Sequence, residues 1–206
     1  MIDKLIAQVA QVSRGAAWAG GAAMMIAALI VTFEVLTRKF LNWSMAGADE
    51  ISGYIFAVAT SWSFAYAMLQ RANVRIDGIY LLASTPLRAV MDIGALLALG
   101  LYVAAMLHSG WILWFDNYSY DSRSITSWRT PLAVPQAFWL AGWAWLAVAL
   151  ALVLARCVQA LARGRLADVV SVAGVRTMEE EVAAEVAHAA EEVAHERELR
   201  AHAEDR

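Results

Sequence analysis

The side chains that could do chemistry in this chain are few and widely spaced. Glu34 lies near the end of a long apolar run, and Arg38 follows four residues later. That spacing lets the two pair on one helix face. An ionisable residue in an apolar run is otherwise a candidate for proton coupling, because burying it alone costs several kcal/mol. Pairing is the favoured interpretation, and proton coupling by Glu34 remains the alternative.

The histidines suggest haem or metal binding only weakly. His108 is the only histidine inside the apolar runs, and a haem-binding bundle generally needs two axial ligands. We therefore expect His108 to be a packed or interfacial residue, with a haem-binding membrane anchor as the alternative. His188, His195 and His202 are seven residues apart, which places them on one helical stripe but ~10 Å apart, too far to share a metal ion. A solvated helix or weak coiled coil is the favoured interpretation there.

Motifs for catalysis are missing from the sequence. It contains no Gly-rich phosphate loop ending in Gly-Lys-Ser/Thr, no His-Glu-x-x-His, no Gly-x-Ser-x-Gly and no calcium-binding loop. Cys157 is the only cysteine, so neither an internal disulfide nor a cysteine-based metal site can form. We expect no enzyme activity, no cofactor and no nucleic-acid partner.

The composition is that of an all-α protein in a lipid bilayer. Hydrophobic residues make up 61% of the 206 residues and charged residues 17%, below the ~25% usual for a soluble domain. The apolar runs are near the ~20 residues that a ~30 Å hydrocarbon core requires of a helix. We predict four transmembrane helices, at about residues 16–37, 51–69, 89–114 and 136–157.

The two ends of the chain differ from this four-span domain of residues 15–165. In residues 1–14, Ile2, Leu5, Ile6, Val9 and Val12 form an apolar stripe, which predicts a short amphipathic helix on the membrane surface. It is not a convincing signal peptide, because Asp3 interrupts the basic start and the next apolar run is long enough to span. Residues 166–206 are predicted to be a linker followed by an acidic, Ala- and Glu-rich helical tail.

Basic residues set the predicted orientation. The N-terminal segment, the connection between the second and third spans and the end of the fourth span carry eight Lys or Arg, against four on the other side. The excess predicts cytoplasmic N- and C-termini. Asp49 and Glu50 then lie on the outer side, just before the second span. They suit the positive end of a helix dipole, and the alternative is a contact with Arg38 or with a partner subunit.

One stretch of sequence resembles a known family. Arg38 is followed by Glu50-Ile51-Ser52-Gly53-Tyr54, by Trp62-Ser63-Phe64-Ala65 and by Arg71-Ala72-Asn73-Val74-Arg75-Ile76-Asp77. In order and spacing, these segments are similar to the small membrane subunit (DctQ type) of tripartite ATP-independent periplasmic (TRAP) transporters. Thr130-Pro131 to Phe138-Trp139 resembles a proline-bearing entry to the fourth span. The resemblance covers about residues 15–160. Asn73 and Ala65 depart from the His and Gly common in the family.

The resemblance implies a non-catalytic subunit in a bacterial inner membrane. Its partners would be the lipid bilayer, a large multi-span permease subunit that carries substrate and sodium, and a periplasmic solute-binding protein. The substrate would be a small solute, commonly an organic acid anion. This chain would brace the large subunit through structural or partner-interface residues, for which we nominate Arg38, Glu50, Arg75, Asp77, Glu34 and Trp62.

Overall fold

The computed structural model of this chain is built from helices. It describes residues 2–44, 46–71 and 82–174, together with the single residues 80, 182, 186, 189 and 190. The helices are α1 (Ile2–Leu41), α2 (Ala48–Leu69), α3 (Thr85–Ser119), α4 (Ala133–Ala162) and α5 (Leu166–Ala173). The predicted all-α class is confirmed for this part of the chain. The predictions for Arg75, Asp77, the tail helix and its three histidines lie outside the described residues.

Three of the helices are long and apolar enough to cross a membrane. These are α1, α3 and α4, which contain the predicted spans 16–37, 89–114 and 136–157. The predicted span 51–69 coincides with the 22-residue α2, which is not among the three by length and composition. Its hydroxyl-bearing residues lower its apolar character (Ser52, Tyr54, Thr60, Ser61, Ser63 and Tyr66). The fourth span therefore stays a prediction.

The segment predicted as a surface helix and the predicted first span lie on one helix. α1 is continuous over 40 residues, and the segment 2–14 is its first part. No proline or turn signal interrupts this stretch, and Ala-rich sequence on both sides of Gly15 sustains the helix. The segment packs along α4: Val9 is buried in the core, and the Arg156 Nε lies 2.7 Å from Asp3 Oδ1.

The core of the bundle follows α4. This helix packs against α1, α2, α3 and α5, and its buried side chains recur at helical spacing from Trp143 to Ala160. The α2–α4 crossing is close, because a Cβ on Gly142 would lie 2.8 Å from the Ser61 Cβ. Only a glycine allows that approach, and small residues in membrane helices commonly serve this purpose.

Two ends of the bundle can now be distinguished. The loop end contains the C-terminus of α1, the N-terminus of α2 and residues 120–132, which join α3 to α4. The tail end contains the start of α3 and α5. There the Tyr80 hydroxyl donates to Asp92 Oδ2 at 2.7 Å, and Asp92 has no exposed surface. Neighbouring helices and Tyr80 therefore bury Asp92 inside the protein.

Candidate functional site at the loop end

The loop end contains a set of polar contacts built on the two acidic residues singled out above, Glu34 and Glu50. We call this set the polar cap and define it as Glu34, Arg38, Ser44, Glu50, Tyr54 and Thr126. It joins the end of α1, the start of α2 and the loop of residues 120–132. The helices bring these residues together only once they are packed, since Thr126 is 76 residues from Glu50.

Glu34 is the buried member of the polar cap. Its exposed fraction is 1%, and the Arg38 Nη2 and Nε lie 2.8 and 3.3 Å from its Oε1. The predicted pair on one helix face is therefore present. Ser44 Oγ donates to the same carboxylate oxygen at 2.7 Å, a contact that sequence analysis missed. The carboxylate thus holds the chain that leaves α1 against the helix itself.

Glu50 occupies the first turn of α2, just before the predicted second span. The Tyr54 hydroxyl donates to its Oε1 at 2.8 Å, and the Thr126 hydroxyl donates to its Oε2. The Thr126 hydrogen bond is the main cause that lowers the pKa of Glu50 from 4.5 to about 2; desolvation opposes it, and other hydroxyls add to it. Glu50 lies at the N-terminus of a helix, as predicted. Arg38, which was considered as its alternative contact, is paired with Glu34 instead.

The turn that leads into α2 requires a glycine. Gly47 has a φ of +116°, a value that side-chain-bearing residues rarely adopt. A Cβ at Gly47 would also lie 2.6 Å from Trp128 Nε1, which donates to the Ala46 carbonyl oxygen. The α1–α2 turn and the α3–α4 loop are therefore fitted to each other at this end.

Trp62 connects helices in the middle of the bundle. Its Nε1 donates to the Phe138 carbonyl oxygen at 3.0 Å, and its ring stacks on Trp145 with centroids 6.4 Å apart. The Trp145 Nε1 in turn lies 2.9 Å from Ser13 Oγ. This series of contacts ties α2 to α4 and α4 to α1. Neither Trp145 nor Ser13 carries a sequence signal that would have distinguished it from other residues in the apolar runs.

An apolar groove runs beside Trp62. It has a volume of about 590 Å³ and lies between α1, α2 and the start of α4. Alanine, glycine and branched aliphatic side chains form most of its wall, and its hydroxyl-bearing lining residues are Tyr54 and Thr130. Binding sites for charged ligands contain a few well-placed polar or charged groups. The lining of this groove provides no charged side chain, so it does not fit an organic anion.

The remaining candidate residues are not part of the polar cap. His108 is exposed on α3, and no group of three or more His, Cys, Asp or Glu able to hold a metal ion occurs among the described residues. Cys157 is buried on α4.

Comparison with known proteins gives one family. The family model for "Tripartite ATP-independent periplasmic transporters, DctQ component" matches residues 27–163, which is more than half of the chain. The matched range contains α2, α3, α4 and the C-terminal part of α1. No curated protein sequence matches the chain.

Proposed function

Since this chain belongs to the DctQ component family of TRAP transporters and is thus a small subunit of such a transporter, we propose that its function is mechanical. It braces the large permease subunit of a sodium-coupled importer that receives small solutes from a periplasmic binding protein. Organic acid anions are the proposed substrate class. Sodium and substrate bind to the large subunit, and this chain holds that subunit in a fixed position in the membrane.

The observation that carries the proposal is where the acidic side chains lie and which groups they contact. Transporters usually bind substrate and coupling ions near the bilayer midplane. The acidic residues of the described spans lie near span ends instead: Glu34 at the loop end and Asp92 at the tail end. Each is engaged locally, Glu34 by Arg38 and Ser44 and Asp92 by Tyr80. Such contacts fix helix positions, and they favour a scaffold over a proton-coupled exporter that uses Glu34.

The exposed helix faces support a role as a partner-bound subunit. α3 packs on α4 and α5 and leaves much of its length exposed, including Leu97, Leu101, Trp111 and Ile112. In a bilayer such a face contacts either lipid or another membrane protein. We propose that Arg38, Glu50 and Trp62, together with Arg75 and Asp77, fix the geometry that these faces present to the large subunit.

The proposed topology has four spans and cytoplasmic termini in the bacterial inner membrane. α2 packs against both α1 and α4, which themselves are long and apolar enough to span. Its 22 residues give a length of ~33 Å, sufficient for the hydrocarbon core. The loop end then faces the periplasm, in agreement with the lower number of basic residues on that side.

The decisive experiment measures ion coupling. The complex of this chain with its large subunit is reconstituted in liposomes, and sodium ions per substrate are counted for wild type and Glu50→Ala. We expect a lower yield of complex or slower transport with the sodium count unchanged. A changed count with assembly intact would show that this subunit takes part in ion coupling. Sodium- or proton-driven uptake by this chain alone would equally refute the proposed bracing function.

A further inference from the structure

The apolar groove lies where α1 and α4 move apart. Nearer the tail end the two helices are in contact, since the Trp145 Nε1 donates to Ser13 Oγ at 2.9 Å. Nearer the loop end α1 packs closely on α2, because a Cβ on Gly20 would lie 3.2 Å from the Ala59 Cβ. Opposite walls of the groove are formed there by α1 (Ala16, Ala19 and Ala23) and α4 (Val134, Pro135 and Phe138). The groove is thus a wedge that opens from the Ser13–Trp145 contact towards the loop end.

The groove has about the depth of one lipid leaflet. Its lining on α2 runs from Tyr54 to Trp62, a rise of ~12 Å, and one leaflet contributes ~15 Å to the hydrocarbon core. Over that rise, a volume of about 590 Å³ corresponds to a width of about 8 Å, which is less than the ~10–12 Å diameter of a helix with its side chains. A helix of another subunit is therefore too wide to enter, whereas a hydrocarbon chain, which has no side chains, fits.

The inner part of the groove is complementary to hydrocarbon. Small, aliphatic and aromatic side chains form its walls, and the Trp62 Nε1 donates to the Phe138 carbonyl oxygen at 3.0 Å. The indole nitrogen is thereby satisfied, so the groove requires no polar ligand at this depth. Apolar walls that lack neighbouring atoms lose dispersion contacts, and the bilayer core supplies no water to fill a recess. An acyl chain restores these contacts.

The mouth of the groove, at the loop end, carries both signs of charge. The Tyr54 hydroxyl donates to Glu50 Oε1 at 2.8 Å, and a side-chain hydrogen bond joins Thr130 to the same carboxylate. Arg129, the residue before Thr130, is exposed. Asp49 is exposed as well but lines a different groove. A carboxylate and a guanidinium above an apolar groove are complementary to the ammonium and phosphate of a zwitterionic phospholipid, whereas Glu50 disfavours an anionic headgroup.

We propose that the apolar groove binds one phospholipid whose zwitterionic headgroup carries an ammonium group. One acyl chain lies between α1 and α4, with the headgroup at Glu50 and Arg129. The lipid fills the wedge and so completes the packing of the bundle at the loop end. The site does not depend on the proposed bracing function, and the proposed topology serves only to name the leaflet as the outer one.

The test maps lipid contacts in the complex of this chain with its large subunit, placed in nanodiscs. The nanodiscs contain phosphatidylethanolamine with a photoactivatable group in the acyl chain, and mass spectrometry locates the cross-links. We expect them to concentrate on the groove walls of α1, α2 and α4. Ala19→Phe, which fills the groove with a ring, should lower this yield about tenfold. Ala22 is likewise exposed on α1 but lies outside the groove, so Ala22→Phe should stay within about twofold of wild type. Labelled phosphatidylglycerol should give a several-fold lower yield than labelled phosphatidylethanolamine.

A stability measurement separates a bound lipid from a passing one. In detergent, added phosphatidylethanolamine should raise the unfolding temperature of wild type and Ala22→Phe by several degrees, because a ligand of the folded state stabilises it. Ala19→Phe should not respond, since its ring occupies the site. Cross-links spread evenly over all exposed helix faces, or an equal response of wild type and Ala19→Phe, would overturn the proposal. Equal yields with the two labelled lipids would overturn the zwitterionic headgroup. The wild-type map and the comparison of lipids need no variant, so they decide the matter even if Ala19→Phe fails to fold.

Discussion

Removal of the Arg38 guanidinium tests the energetic role of the buried carboxylate at the loop end. The pair is asymmetric: the Arg38 side chain is 56% exposed and the Glu34 side chain 2%. Exposed ion pairs contribute about 0–1 kcal/mol to stability, whereas removing one partner of a deeply buried pair costs about 3–5 kcal/mol. For Arg38→Ala we expect an intermediate loss of about 1–3 kcal/mol, because Glu34 stays buried and Ser44 still donates to it.

The assay is denaturant unfolding of the purified complex in detergent micelles, with Lys39→Ala as the control. Lys39 is the adjacent cation and is exposed, so its removal should change the free energy of unfolding by less than about 0.5 kcal/mol. In the double variant Arg38→Ala with Glu34→Gln, part of the free energy of unfolding lost in Arg38→Ala should be recovered, since a buried neutral amide needs no cation beside it. If Arg38→Ala were no more costly than Lys39→Ala, Glu34 would not depend on its partner, and this account of the polar cap would be wrong.

Three further outcomes are expected. The hydrogen bonds to Glu50 hold its pKa at about 2. Their contribution to stability is therefore complete above the unfolded pKa of 4.5 and is lost as pH falls from 4.5 towards 2. The difference in thermal stability between wild type and Glu50→Gln should disappear in this pH range, and a constant difference would contradict this role of the hydrogen bonds. Gly142→Leu should destabilise the α2–α4 crossing by about 1–3 kcal/mol, measured by unfolding, whereas Gly94→Leu, at a site with no neighbour within 4 Å, should have little effect. Truncation after Val175 should leave membrane insertion and transport intact, because residues 176–206 contain no apolar segment of spanning length; a tenfold fall in transport at normal protein levels would reveal a function of the tail.

Sequence reasoning located the helices well because lipid imposes simple rules. Apolar runs of spanning length predicted α1, α3 and α4, since backbone groups in a bilayer must be satisfied within a helix. The Glu34–Arg38 pair was equally accessible, because its spacing places both residues on one face of any helix. α2 was located but is less apolar than its neighbours, so its role as a span rests on its packing.

The contacts between elements could not be read from the sequence. Ser44 and Thr126 are ordinary loop residues until the bundle brings them to Glu34 and Glu50. Burial of Asp92 depends on Tyr80 and on the packing of α4 and α5, which a single periodic pattern does not predict. The amphipathic segment and the first span form one continuous helix, because a change from amphipathic to apolar pattern alters the environment of a helix without ending it.

The unbroken course of α1 couples the subunit to bilayer thickness. Contacts fix this helix near both ends, at Asp3 with α4 and at Glu34 with the chain that leads into α2. These two positions are 31 residues apart, which is about 46 Å along the helix axis, whereas the hydrocarbon core measures about 30 Å. A helix longer than the core tilts or thickens the bilayer around it. Because α2 and α4 are packed on α1, they share its tilt, and a thinner membrane would tilt these three helices together.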